Sequence, residues 1–402
     1  MIKFNKEFFK GSVILLIAFN IYNTINFFFQ FSMAHLLSVI EYGILATLYS
    51  FIYSLGIFSD SIQTVITKYS STEQDKGRLK NIIKKSLNKA LKISLVLFII
   101  YGIASIFISP ILKIEYYLFL LNGITIFAFF LPPVNRGIMQ GKKRFYSLGY
   151  NMIIEAVIKL SFAVLLVLLG WKVYGAMTAT VLGFAIAFLF SFFSLKDIFQ
   201  SKEKPSKTEG IYQYTAPVFI ILFSLTFFFS IDVIIAKMMF PESIAGSYAI
   251  ASTLAKIVFI GTQPISRAMF SISSENSEKE QKSSGLLINA LSILFVCITL
   301  ALLIYYFFPD FIIKIFSGKS LPGASAILFY LAIAFSLLSI TNLLILYKLS
   351  LGKTKTYLIF LIFPLIEVIL CFIFSANLVQ FSIALIVASA IFLWGSILLL
   401  DR

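Results

Sequence analysis

The stretch SLTFFFSIDVIIAKMMF, Ser224–Phe240, places one carboxylate, Asp232, inside a run of Phe, Ile, Val and Met. Apolar runs of about 20 residues, each long enough to cross a hydrocarbon layer of roughly 30 Å as a helix, recur along the whole chain. Of the 402 residues, 59% are hydrophobic and only 13% are charged, and a soluble domain of this size cannot bury that much apolar surface. The sequence therefore predicts an all-α integral membrane protein.

About twelve transmembrane helices are expected, near residues 11–37, 42–69, 86–109, 115–138, 146–170, 173–195, 212–239, 243–271, 285–308, 322–349, 355–375 and 378–400. The first apolar run continues past Phe31 without a signal-peptide cleavage site, so a retained first helix is predicted. A polar loop near the middle divides the chain. The predicted organisation is an N-terminal six-helix bundle at 1–200, a cytoplasmic linker at 201–210 and a C-terminal six-helix bundle at 211–402.

The distribution of basic residues orients the chain. With the N-terminus inside, most of the 33 Lys and Arg residues fall on inner segments. The outer segments keep Lys113, Lys172, Lys237, Lys314 and Lys319. This asymmetry follows the positive-inside rule and explains most of the net charge of +15, so a nucleic-acid partner is not expected. We predict a multi-pass protein of the cell membrane with both termini cytoplasmic.

The two halves share faint similarity. EYGILATLYSF at the start of the second span matches AGSYAIASTLAKI at the start of the eighth, which pairs Gly43 with Gly246. QGKKRFYS and LGKTKTYL match further on, and a buried acid, Glu155 or Glu367, follows each. Six spans per half is an even number, so we expect a parallel repeat related by a pseudo-two-fold axis along the membrane normal, with a cleft between the bundles.

Enzyme signatures are missing from the sequence. Neither HExxH, Cys-x-x-Cys nor GxSxG occurs, and His35 is the single histidine. YKLSLGKTKT imitates the end of a Walker A loop, but Tyr347 stands where that loop requires glycine, so ATP binding is rejected. We therefore predict that the chain is not an enzyme and that it has no cofactor and no bound metal. Transport coupled to H⁺ or Na⁺ is considered as the one ion requirement.

Charged residues at membrane depth are the candidate functional residues, since each costs about 2.5–3.5 kcal/mol to insert. They are Asp60, Glu155, Lys159, Asp232, Lys256 and Glu367, with Arg136 and Arg267 near inner ends. Glu155 and Lys159 are four residues apart, which favours an intrahelical ion pair; a role in insertion and a role in transport both remain open. Lys256 and Arg267 share one stripe of the eighth span about 16 Å apart, with an interruption of the helix expected at Pro264.

The order of several segments resembles a known family. These segments are EYGILATLYSF, the run NRGIMQGKKRFYSLGYNMIIEAVIKLSFAVLLVLLGWKVYGAMTATVLG, and FFFSIDVIIAKMMFPESIAGSYAIASTLAKIVFIGTQPIS. Together with the span count and the central linker, they are similar to the Wzx-like polysaccharide-biosynthesis flippases of the multidrug/oligosaccharidyl-lipid/polysaccharide (MOP) exporter superfamily. The likeness covers nearly the whole chain, although no single piece is a strict motif.

The resemblance implies two six-helix bundles that move a polyprenyl-(di)phosphate-linked oligosaccharide to the outer leaflet by alternating access. The family's cationic cavity is assigned here to Arg136, Lys256 and Arg267 as substrate-phosphate ligands. Asp60, Asp232, Glu155, Lys159 and Glu367 are assigned to coupling or ion pairing. The implied partners are the lipid-linked oligosaccharide, membrane lipids, and glycosyltransferases or a polymerase of the same pathway.

Three rival functions remain open from the sequence. A multidrug or cation antiporter of the MATE type would need a more acidic pocket than the basic balance of the deep charges provides. A lipid II flippase shares the architecture but usually has additional spans. A membrane-embedded glycan polymerase or ligase would differ in class, and the short outer segments disfavour it.

Overall fold

The computed structural model describes residues 6–206, 216–278, 284–353 and 356–399, and every regular element in these ranges is a helix. Residues 207–210 of the predicted linker, and both chain termini, lie outside the described residues. The helices are α1 (Lys6–Leu36), α2 (Val39–Thr72), α3 (Lys76–Leu112), α4 (Tyr116–Ile124), α5 (Ile126–Phe130), α6 (Pro132–Gly141), α7 (Phe145–Leu166), α8 (Lys172–Ser194), α9 (Lys196–Phe199), α10 (Ala216–Met239), α11 (Glu242–Glu278), α12 (Ser284–Phe307), α13 (Pro309–Ser317), α14 (Pro322–Ser350), α15 (Ile362–Ile373) and α16 (Leu378–Leu398). A π-helical turn at Val167–Trp171 precedes α8, and a 3₁₀ turn at Tyr357–Leu361 precedes α15.

The described helices agree with the predicted span count. Ten stretches are long and apolar enough to cross a membrane. One of them, Phe145–Ser194, contains two spans, because Gly170 has a φ of 90° that breaks the helical path between α7 and α8. A shorter apolar helix at Tyr357–Ile373 completes the set of twelve. The predicted all-α membrane fold is confirmed.

The structure departs from the sequence prediction in three places. The fourth span is divided into α4, α5 and α6; α6 starts at Pro132–Pro133, whose rings supply no backbone N–H. A short helix, α13, lies between two predicted spans where no helix was predicted. The expected interruption at Pro264 was wrong, since α11 runs continuously from Glu242 to Glu278 with the proline inside it.

The chain forms two compact units. Unit 1 comprises Met1–Leu37 and Leu55–Tyr214, and unit 2 comprises Ser38–Ser54 and Thr215–Arg402. The first half of α2 is therefore part of unit 2, while its second half is part of unit 1. Sequence similarity alone gave no reason to divide this helix, because its apolar pattern does not change near residue 54.

In unit 1, the start of α3 is fastened to residues 201–206, which we call the linker strap. The contacts pair Lys80 with the Ser201 carbonyl, Lys84 with Glu203, Asp75 with Lys204, and Asn81 with Ser206. Salt bridges with Lys204 and Lys84 hold the pKa values of Asp75 and Glu203 below their ordinary values. The strap thus fixes the first part of the predicted linker to the N-terminal unit.

Asp197 on α9 joins three more elements of unit 1. Its two carboxylate oxygens accept from the two terminal nitrogens of Arg144, each at 2.8 Å, and Lys76 lies 2.8 Å from Oδ2. Arg144 also donates to the Ser194 carbonyl at the end of α8. This forked geometry is the strongest form of an arginine–carboxylate pair.

In unit 2, α2 and α11 cross where two glycines meet. A methyl group on Gly43 would lie 2.8 Å from the Cα of Gly246, and one on Gly246 would lie 2.1 Å from the carbonyl oxygen of Val39. These are the two glycines that the sequence comparison paired. Small residues at this crossing let the two backbones approach, as is common between membrane helices.

Replacing Asp197 with Asn tests the α9 anchor. We expect the free energy of unfolding at pH 7 to fall by on the order of 1 kcal/mol, because the pair is partly exposed and screened. The hydrogen bonds from Arg144 lower the pKa of Asp197 below its ordinary value of 3.8. The stabilisation is therefore present above that value and is lost as pH falls through the lowered folded pKa. Thermal unfolding in detergent at pH 7 and pH 2 measures this; an equal deficit at both pH values would contradict it, and Lys196→Gln is the surface control.

Replacing each of two glycines of α11 with alanine distinguishes the effect of helix propensity on stability from the effect of close packing. Gly246→Ala is expected to destabilise unit 2 by about 1–3 kcal/mol, because its methyl group meets backbone atoms of α2. A methyl group on Gly261 of the same helix has no atom within 4 Å, so Gly261→Ala should stabilise by up to about 1 kcal/mol. Melting temperatures that shift in the same direction for both variants would contradict the crossing.

Candidate functional site

Asp232 on α10 is completely buried and is held by one stripe of α11. Its Oδ1 lies 2.8 Å from Nζ of Lys256, and its Oδ2 accepts from the hydroxyls of Ser252 at 2.7 Å and Tyr248 at 3.0 Å. These three residues follow one another at intervals of four, and residues at this spacing share a helix face. Asp232 therefore forms an ion pair with Lys256 and also accepts hydrogen bonds from two hydroxyl groups.

Lys256 lies between aromatic rings. Its Nζ is 5.0 Å from the ring centroid of Phe229 on α10 and 5.2 Å from that of Phe335 on α14. Only 7% of its side chain is exposed. The negative faces of these rings stabilise an ammonium group that has little access to water. The two rings and the carboxylate together keep a cation inside an otherwise apolar bundle.

Glu367 on α15 is a second buried acid beside this pair. It is completely buried, and within the described residues neither carboxylate oxygen has a hydrogen-bond partner. Its electrostatic neighbours are Asp232 and Lys256. A buried polar group without a partner is rare in a folded protein. Two acids and one cation therefore interact electrostatically at this site.

Asp232, Glu367, Lys256, Tyr248 and Ser252 form the group that we call the α11 cluster. Within the described residues there is no group of three or more His, Cys, Asp or Glu side chains that could hold a metal ion.

Arg267 lies three turns beyond Lys256 on the same helix. The continuous path of α11 preserves the predicted spacing of about 16 Å along the axis. Arg267 is exposed, and its guanidinium donates to Oε1 of Gln263 at 3.1 Å. It therefore offers an accessible cation outside the α11 cluster.

Unit 1 contains a separate charged group. Arg136 on α6 donates to Oε2 of Glu155 at 2.5 Å and to Oδ1 of Asn151 at 2.8 Å, both on α7. Asn151 in turn donates to the Ala187 carbonyl of α8. Arg136 is only 13% exposed, so this predicted phosphate ligand is already engaged by an acid and an amide.

Lys159 lies one turn beyond Glu155 and is electrostatically coupled to it. Its ammonium group donates to Oδ1 of Asn26 and lies 4.6 Å from the ring centroid of Phe29. The salt bridge of Glu155 is therefore with Arg136, while Lys159 contacts Asn26 and interacts with Glu155 electrostatically. Asp60, the remaining candidate of unit 1, is an exposed residue of α2.

The candidate residues divide between the units. Unit 1 holds Asp60, Arg136, Glu155 and Lys159, and unit 2 holds Asp232, Lys256, Arg267 and Glu367. The sequence prediction missed Tyr248, Ser252, Asn26 and Asn151. The spacing of Tyr248, Ser252 and Lys256 was a usable signal, because a polar stripe on an apolar helix requires a partner. Asn26 and Asn151 carried no comparable signal.

Comparison with known proteins assigns the chain to a family. A family model described as polysaccharide biosynthesis protein matches residues 32–325. None of the curated proteins compared with the chain matches it.

Solved structures share the fold over nearly the whole chain. An inward-facing multidrug resistance MATE family transporter of the MOP superfamily has a TM-score of 0.77 at 16% identity, covering 97% of this chain and 98% of that one. The lipid II flippase MurJ, in an inward closed conformation, has a TM-score of 0.68 at 16% identity, covering 97% and 88%. A MOP superfamily transporter from Pyrococcus furiosus, described as having a binding pocket of reverse polarity, has a TM-score of 0.67 at 16% identity, covering 98% and 96%. The chain therefore belongs to the polysaccharide biosynthesis protein family and is a multi-pass membrane protein with the fold of MOP superfamily transporters.

Proposed function

We propose that the chain is a flippase that moves a polyprenyl-(di)phosphate-linked oligosaccharide from the cytoplasmic to the outer leaflet by alternating access. The observation that carries this proposal is the buried ion pair of Asp232 and Lys256 within a member of the polysaccharide biosynthesis family. Membrane helices retain such charges where an ion or a charged substrate must pass.

Lys256 supplies the cation that binds the substrate phosphate. In the resting state its partner is Asp232, and a (di)phosphate that enters the site replaces the carboxylate as the acceptor of its hydrogen bonds. Such charge-assisted bonds compensate for the hydration that the phosphate loses. Tyr248 and Ser252 continue to donate to Asp232 during this exchange, so the acid is not left without partners.

Asp232 and Glu367 couple transport to an ion gradient. When Lys256 turns to the substrate, the free carboxylates take up H⁺ or Na⁺, which leaves when the ion pair reforms. Glu367 suits this role because its oxygens lack described partners and it lies in the field of both other charges. Asp60, Glu155 and Lys159 are proposed as the coupling or ion-pair residues of unit 1.

Arg267 and Arg136 complete the proposed set of phosphate ligands. Arg267 is exposed and can meet the head group before Lys256 does. Arg136 must first leave Glu155, from which its guanidinium is now 2.5 Å away. The proposed partners are the lipid-linked oligosaccharide, membrane lipids, and the glycosyltransferases or polymerase of the same pathway, at the cell membrane with cytoplasmic termini.

A second candidate function is a cation or drug antiporter. The structure that supports it is the MATE family transporter with a TM-score of 0.77, together with two buried acids in the α11 cluster. For that function, the acids themselves receive the cationic substrate. An uptake assay with a cationic dye under an imposed H⁺ or Na⁺ gradient separates it from glycolipid flipping.

Removing one or both charges of the Asp232–Lys256 ion pair tests how much the pair contributes to stability. Lys256→Gln leaves Asp232 as a buried charge without its cation, so we expect the free energy of unfolding to fall by about 3–5 kcal/mol. The double variant Asp232→Asn/Lys256→Gln removes both charges and should recover most of that loss. Thermal unfolding in detergent measures both, with the exposed Lys314→Gln as the control. A double variant less stable than Lys256→Gln would contradict the ion-pair assignment.

Flipping of a fluorescent lipid-linked glycan in proteoliposomes tests the function. We expect the double variant Asp232→Asn/Lys256→Gln to slow flipping at least tenfold, and Arg267→Ala several-fold, because each removes a phosphate ligand. Asp232→Asn should reduce the rate more than the amount of protein in the membrane. Lys196→Ala, at an exposed site on α9, is the matched control. Near-normal rates in both the double variant and Arg267→Ala would overturn the proposal.

A further inference from the structure

The exposed face of α3 changes abruptly from apolar to basic. Val96, Ile100, Ile103 and Phe107 follow one another on this face with exposed fractions of 55%, 56%, 56% and 68%. The same face continues toward the helix N-terminus as Lys92, Lys89 and Lys85, all of them exposed. Their spacing of three and four residues keeps them in line with the apolar stripe. We call Lys85, Lys89 and Lys92 the basic row.

The apolar part of this face is in contact with lipid. Residues 93–112 contain no charged residue, and α3 is one continuous helix from Lys76 to Leu112. The opposite face, which includes Ile83, Ala90 and Ser94, is buried inside the unit. A stripe of large exposed aliphatic side chains opposite a buried face is typical of a helix on the outside of a membrane bundle.

The position of the basic row along the axis corresponds to lipid headgroups. At 1.5 Å per residue, Lys92 is about 6 Å and Lys89 about 10 Å beyond Val96. The polar region of each leaflet is roughly 5–8 Å thick. Long lysine side chains that start on a lipid-facing surface extend to this level. Lys92 and Lys89 are therefore within reach of lipid phosphates, while Lys85, about 16 Å beyond Val96, lies on the aqueous side of the headgroups and adds to the charge that faces them.

Two acids at the N-terminal end of α3 pair with cations outside the basic row. Glu203 of the linker strap pairs with Lys84 at 2.5 Å, and Asp75 pairs with Lys204 at 2.5 Å. Lys85 also donates to the carbonyl oxygen of Ser206 at 3.1 Å, a neutral contact that leaves its charge uncompensated. The row therefore places three lysines next to an apolar, lipid-facing surface.

We propose that the basic row binds the phosphates of anionic phospholipids in the leaflet at the N-terminal end of α3. Each basic residue close to an anionic membrane surface changes binding by roughly fivefold. An acidic protein partner would not need the adjoining stripe of Ile, Val and Phe, whereas a phospholipid fits both parts, with its acyl chain along the stripe and its phosphate on the row. The inference does not depend on which substrate the protein transports.

A local reporter tests this binding. The chain contains two tryptophans, so Trp171→Phe/Trp394→Phe with Val96→Trp places a single fluorophore one turn from Lys92. The full chain is reconstituted in phosphatidylcholine vesicles that contain brominated phosphatidylglycerol or brominated phosphatidylcholine. The ratio of quenching by the two brominated lipids gives the preference for the anionic headgroup at this site.

We expect the parent reporter to prefer phosphatidylglycerol by several-fold to tenfold, and the variant Lys85→Gln/Lys89→Gln/Lys92→Gln to lose this preference. The same three positions changed to Arg should retain it. Arg78→Gln/Lys196→Gln/Lys202→Gln is the charge-matched control at exposed sites outside the row, and it should also retain the preference. The proposal is overturned if the row variant keeps the parent preference, or if the control loses as much as the row variant. Melting temperatures of all variants identify any loss of folding.

Discussion

The contact between Lys256 and Asp232 constrains much of unit 2. A charge in a membrane bundle is tolerated only when its partner and its hydrogen bonds are fixed. Here α10 supplies the acid, α11 supplies three donors in one stripe, and rings from α10 and α14 flank the ammonium group. With Glu367 of α15 alongside, four helices contribute to one electrostatic arrangement. A rotation of α11 about its axis would remove all three donors from Asp232 together, so this contact fixes the facing of the helix.

Unit 1 also contains a largely buried ion pair, but its cation is an arginine instead of a lysine. Its cation is Arg136 on α6, whose planar group meets a carboxylate and an amide of the same neighbouring helix. Asn151 also contacts α8, so Arg136 is positioned by a relay across three helices. Although the sequence pairs Glu155 and Glu367 as equivalent acids, the first is engaged by a guanidinium and the second is without described partners. Two acids that the sequence similarity aligns therefore have different surroundings.

The sequence predicted the number and extent of the spans well, because apolar length is a local property that the bilayer imposes. It predicted that Asp232 needs a cation but not which hydroxyls would join it, since that depends on how α10 and α11 face each other. The break in the fourth span was missed because Thr125 is an ordinary helical residue. The break that the sequence predicted at Pro264 does not occur, because neighbouring helices and local adjustments can accommodate a missing N–H inside a membrane helix. Local patterns therefore located the helices, while tertiary contacts decided their breaks and their polar faces.

The three proposed phosphate ligands differ in their side-chain chemistry, so we expect them to have different roles in binding. Arg136 is held in a geometry that favours its present partners, because a planar guanidinium loses two directed bonds when it moves. Lys256 has a flexible stem and a point charge, so it can exchange one oxygen acceptor for another with little reorganisation. The ring faces around it contribute to either arrangement, since they act on the ammonium group and not on its partner. Of these cations, Lys256 is therefore the one best suited to alternate between Asp232 and a phosphate, whereas Arg136 must break the most directed bonds before it can bind one.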